Sequence, residues 1–95
     1  MAKTKTLPFD SAEYLDTPEA IATYLGDALA SGSAAEFHDA LSVVARARGM
    51  TEIARASGLG RENLYNALRA DAHPRFDTIQ RVLAALGVEL HVRPA

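Results

Sequence analysis

Between Met50 and Leu68 the chain reads Met-Thr-Glu-Ile-Ala-Arg-Ala-Ser-Gly-Leu-Gly-Arg-Glu-Asn-Leu-Tyr-Asn-Ala-Leu, and this stretch constrains the fold more than any other. Ile53 and Ala54 fall on the inner face of a short first helix. Gly58 follows at a turn, where a positive φ is needed and glycine meets it without steric cost. Leu59 plugs the turn from below, and Leu64, Ala67 and Leu68 line the inner face of a second helix. Ala54 has to be small, because the two helices cross closely there. A small residue, then glycine, then an apolar residue directly after and another five further on is the spacing of a helix-turn-helix, which points to DNA rather than to a reaction.

Charge is distributed accordingly. Residues 1–45 carry Lys3 and Lys5 against seven acids, a net −5, whereas residues 46–81 carry seven arginines against four acids, a net +3. Every basic residue of the second segment is Arg, whose planar fork can bond phosphate or guanine bidentately. The rest of the composition sets bounds. Ninety-five residues make one small domain, which buries roughly 60–70% of its unfolded surface. No apolar run approaches the length of about 18 residues that a membrane span needs. The charged N-terminus is not followed by a signal-like apolar run. With no cysteine there is neither a disulfide framework nor thiol chemistry, and the cytoplasm is the natural location.

Read along its length, the chain predicts an extended N-terminal segment over 1–16, because Pro8 forbids a helix there, and a single domain over 17–95. Thr17-Pro18-Glu19 starts a helix with Ile21, Leu25, Ala28 and Leu29 on one face, ended by Ser31-Gly32. Ser33 to Glu36 is a capping box opening a second helix, with Phe37, Leu41, Val44 and Ala45 inward and Gly49 at its end. Thr51 or a near neighbour caps the third helix, which runs to Ser57; the fourth spans Arg61 to about Leu68. A loop over 69–75 leads to a fifth helix marked by Phe76, Ile79, Val82, Leu83 and Leu86 and stopped by Gly87. Val88, Leu90 and Val92 then alternate with polar residues, the pattern of a short β-strand. A lone strand in a helical monomer lacks a pairing partner, so these three residues are expected to pair with a second copy, as in two-fold dimers that read palindromic DNA. The alternative is a tail packed on the fifth helix. The expected class is all-α: five helices of a helix-turn-helix domain with a short C-terminal β-strand.

The run Gly49 to Leu68, followed by His73-Pro74-Arg75-Phe76-Asp77-Thr78 and a helix ending Ala85-Leu86-Gly87-Val88, resembles the addiction-module antidote proteins, HigA-like antitoxins related to Cro/cI-type repressors. The tract from Phe9 to Leu25 is similar to that family's N-terminal segment, so the resemblance covers about residues 7–93. It implies a type II antitoxin that neutralises a RelE/HigB-like ribonuclease toxin and represses its own operon. Departures occur at Gly60 and Arg75, where the family usually or often has a capping Ser or Thr. Met50 stands where the wider family often has a phosphate-binding Gln.

With Leu64, Ala67 and Leu68 turned inward, Arg61, Glu62, Tyr65, Asn66 and Arg69 face outward, and Asn63 lies at the margin. Arg61, at the helix start, is the first candidate for guanine, and Asn66 or Asn63 for adenine. Tyr65 could meet a thymine methyl or a phosphate, or be half-buried core. Glu62 could accept from cytosine. Arg69 and Arg55 suit phosphates, although Arg69 could instead pair with Asp71 or Asp77. The acidic N-terminal half is expected to meet a basic toxin, with Phe9, Glu13 and Tyr14 in the contact; otherwise that segment packs on its own domain.

Catalytic patterns are missing. His38, His73 and His91 have no metal-ligand spacing, His38-Asp39 reads as helix surface, and Gly58 and Gly60 lack the Lys-Ser/Thr of a phosphate loop. An enzyme, a metal and a cofactor are therefore not expected. Two other functions stay open: a stand-alone phage-type repressor with no toxin partner, and a protein–protein module that kept the fold but lost DNA binding.

Overall fold

A computed structural model describes residues 15–95, and among them are five helices and no strand. They are α1 (Pro18–Ala30), α2 (Ala34–Arg48), α3 (Met50–Ser57), α4 (Arg61–Leu68) and α5 (Phe76–Ala85). The extended segment expected over 1–16 lies almost wholly outside the described residues; within them, Leu15 is fully buried in the core.

Local chemistry explains most helix ends. The Thr17 side chain accepts from the Ala20 N–H at 3.1 Å, and Pro18 occupies the first turn of α1, where its missing N–H is not needed. Ser33 Oγ accepts from the Glu36 N–H at 3.1 Å, but the return bond of a capping box is replaced: the Ser33 N–H donates to Ser31 Oγ at 3.3 Å. Thr51 does not cap α3. Gly49 ends α2 and starts α3 in one residue, so the helix already begins at Met50, which is buried.

Helices α1 and α2 pack together, and α3 bridges α2, α4 and α5. The core joins Ile21 and Leu25 of α1 to Phe37, Leu41 and Val44 of α2, Ile53 and Ala54 of α3, Leu64 and Leu68 of α4, and Val82 and Leu83 of α5. No polar or charged residue is buried among the described residues. Burial of each large aliphatic side chain favours folding by about 1.5–3 kcal/mol. Three residues assigned inward by spacing lie outside this core: Leu29 in the last turn of α1, Phe76 in the first turn of α5, 61% exposed, and Ala67 of α4, which is half-buried. Leu29 and Phe76 line one apolar groove with Phe37, Leu41 and Ile79, on the edge of the core rather than within it.

The expected C-terminal β-strand is not formed. Leu86 caps α5, the Gly87 N–H donates to Ala84 O and the Val88 N–H donates to Leu83 O, both at 3.0 Å, which is a Schellman motif. Val88 is thereby drawn onto the core as the residue that closes the helix. Beyond it, residues 89–95 are without regular structure, because no strand within the described chain offers a ladder. Leu90 is exposed and Val92 is 99% exposed. Gly87 also lies against Pro18, where an added Cβ would meet the ring at 3.6 Å, so the end of α5 and the start of α1 are pinned together.

Candidate nucleic-acid interface

Three residues join α3 to α4. Gly58 is left-handed (φ 76°, ψ 7°) and its N–H donates to Arg55 O at 3.2 Å, closing α3. Ser57 Oγ donates to Ala54 O at 3.2 Å and accepts from the Leu59 N–H at 3.3 Å, while Leu59 packs half-buried against the core. Gly60, the residue before α4, has φ 80° and ψ 161°. That region is essentially confined to glycine. Gly60 is therefore not simply a substitute for the capping Ser or Thr usual at this position: the turn as built requires a residue without Cβ.

The turn fixes α4 so that Leu64 and Leu68 are buried while Arg61, Glu62, Asn63, Tyr65 and Asn66 are exposed. Arg69 follows the helix and is also exposed. The structure groups these side chains. Arg61 Nη2 donates to Tyr65 Oη at 3.4 Å, with its guanidinium carbon 5.6 Å from the ring centroid. Tyr65 is 37% exposed, so it is not core. Arg69 donates to Asp71 at 3.0 Å and to Asn66 Oδ1 at 3.5 Å. Arg55 is paired with Glu52 on its own helix. Glu62 and Asn63 make no side-chain hydrogen bond among the described residues; Asn63 lines a shallow groove with Asn66, Arg69 and Arg75. The two arginines read as phosphate ligands, Arg55 and Arg69, thus both carry an acid partner. Exposed pairs of this kind are weak, typically below about 1 kcal/mol, and an anion can displace them.

The Arg69 hydrogen bond, followed by the adjoining backbone and the Arg69 charge, holds the Asp71 carboxyl below its usual range. The unfolded chain therefore binds that proton more tightly. The pair favours folding above the ordinary carboxylate pKa, and that contribution is lost as pH falls through the lowered value.

Two residues escaped sequence reasoning. Arg46, on α2, places its guanidinium carbon 5.6 Å from the same Tyr65 ring that Arg61 approaches. His38, read as helix surface, is half-buried, with Nε2 2.8 Å from Ala67 O. A carbonyl only accepts, so Nε2 carries the proton and donates. The last carbonyls of a helix lack partners within it, and His38 satisfies one of those of α4 from the adjacent helix α2. His38→Ala is expected to lower stability by about 0.5–1.5 kcal/mol, the net value of one such bond. Urea unfolding measures this, and an unchanged midpoint contradicts the assignment. A helical residue bordering Phe37 and Leu41 was the only signal for His38; its partner carbonyl belongs to a helix distant in sequence.

Among the described residues, no helix is long and apolar enough to cross a membrane, and no three His, Asp or Glu side chains come together to hold a metal ion. Over residues 5–94 the chain matches the model of a family described as probable addiction module antidote protein, and it belongs to that family. It is also 40% identical over 85 residues to an uncharacterised protein of Haemophilus influenzae, a match covering 90% of this chain and 88% of the relative. No solved structure matches the chain. An antidote family is generally not one of enzymes, and it implies a toxin partner of some kind.

Proposed function

We propose that this chain is a DNA-binding antitoxin that neutralises a RelE/HigB-like ribonuclease toxin and, as a homodimer, represses its own operon. The observation that carries the DNA half is the division of α4. Its inner residues Leu64 and Leu68 are buried, while Arg61, Glu62, Asn63, Tyr65 and Asn66 form an exposed row beginning at the helix N-terminus. In this reading α3 and α4 form a helix-turn-helix of the Cro/cI type, and the first residues of the second helix reach base edges. Arg61 reads guanine, and Asn66 or Asn63 reads adenine. Arg55 and Arg69 exchange Glu52 and Asp71 for phosphates.

Support for the toxin half comes from family membership and from the acidic side chains on α1 and the first half of α2. Asp27 of α1 and Glu36 and Asp39 of α2 border one shallow groove beside Tyr24. None of the three has an ion-pair partner among the described residues, a surface suited to a toxin that is basic because it holds RNA. Phe9, Glu13 and Tyr14, proposed for the same contact, lie outside the described residues. A second copy would cover the exposed tail residues Leu90 and Val92, with the half-buried Val88 as the root of that contact.

Arg61→Ala tests the reading. Binding to the DNA upstream of the protein's own gene is expected to weaken by about 1–3 kcal/mol, with relaxed preference at one base position. Unchanged affinity and unchanged site preference would remove Arg61 from the interface.

A further inference from the structure

We infer that Arg46, on α2 and outside the two helices assigned to reading DNA, contacts a backbone phosphate and is held ready for it by the ring of Tyr65. The inference rests on the DNA-binding reading and adds a third helix to the interface. Arg46 is fixed at two points: Nε donates to Ser42 Oγ at 3.2 Å, one turn back on the same helix, and the guanidinium lies against Tyr65. Those contacts leave its two terminal amino groups without a hydrogen-bond partner among the described residues, on an exposed side chain. Arg55, Arg69 and Arg75 each have a carboxylate within ion-pair distance, whereas neither Arg46 nor Arg61 has one among the described residues. Two cations are thus gathered at one aromatic ring with no acid to neutralise them. Like charges so placed repel, and an anion arriving beside both relieves that repulsion. The ring itself is a cation-holding surface, and the guanidinium is weakly hydrated enough to use it.

The anion is a DNA phosphate rather than a base edge. Base edges are reached by residues near the start of the recognition helix, where Arg61 stands. Arg46 comes from a neighbouring helix outside the motif, and a contact made from outside the groove is one to a phosphate, which needs no groove insertion. A phosphate contact has a distinct signature: it raises affinity for every sequence alike and releases one counterion.

The test is a fluorescence-anisotropy titration of the full chain and of Arg46→Ala and Arg46→Lys, against the upstream DNA and a random duplex, over a range of salt. Arg46→Ala is expected to weaken both duplexes alike and to reduce the salt slope by about 1. Between about 50 and 200 mM salt, the wild-type affinity then falls roughly 3.5-fold further than that of the variant. Arg46→Lys keeps the charge and the wild-type slope. An Arg46→Ala variant with the wild-type slope overturns the inference, as does a loss confined to the upstream duplex. A wild-type chain that binds neither duplex fails at the DNA-binding reading itself, a result distinct from both. Circular dichroism of each variant checks that the exposed substitution leaves the helices intact.

Discussion

Leu64→Ala is expected to lower the stability of this domain by about 2–5 kcal/mol. Leu64 is 0% exposed and is one of two side chains that tie α4 to the core. Its loss removes transfer free energy and leaves a cavity that an eight-residue helix, held by a three-residue turn, cannot collapse without moving. Small domains have only about 5–15 kcal/mol in total, so this one change removes a large share. Urea unfolding reads the effect directly. DNA affinity should fall with it even under conditions where the variant is still folded, because α4 loses its seat. A loss below about 1 kcal/mol would mean that α4 is not anchored through this residue.

Replacing Gly60 has the second largest expected effect, and here the sign is informative. Considered as a sequence position, Gly60 stands where a capping Ser or Thr is usual, so that Gly60→Ser would be expected to stabilise slightly. The backbone angles reverse this. At φ 80° and ψ 161° a Cβ is strained, although no neighbouring atom lies within 4 Å of its position. Gly60→Ser and Gly60→Ala are both expected to destabilise by about 1–3 kcal/mol, the cost of holding a non-glycine residue in that region. Thermal or urea unfolding of the two variants decides it. A stabilised Gly60→Ser would show that the turn relaxes into an ordinary N-cap when offered a side-chain oxygen.

What is legible in the sequence is mostly local. Thr17-Pro18, Ser33 and Gly58 announced helix ends because each acts on backbone groups a few residues away. Helical spacing found Ile21, Leu25, Phe37, Leu41, Leu64 and Leu83 because a face is a property of one helix. The same spacing misplaced Leu29 and Phe76, since periodicity gives a direction but not where the core stops. The alternation of Val88, Leu90 and Val92 predicts a strand, but a strand needs a partner, and the Schellman closure at Val88 uses the first of these residues instead. At the candidate interface the exposed row on α4 followed from its buried face. The Arg46–Tyr65 contact and the His38–Ala67 hydrogen bond did not, because each joins helices whose proximity only the folded chain determines.

The most direct test of the central claim is a mobility-shift titration of the wild-type chain against the DNA upstream of its own gene, at two salt concentrations, with random DNA as competitor. The account predicts a specific complex whose affinity falls steeply with salt, as several arginine–phosphate contacts require. Binding that does not prefer the upstream DNA, or that is unchanged between the two salt concentrations, would contradict it.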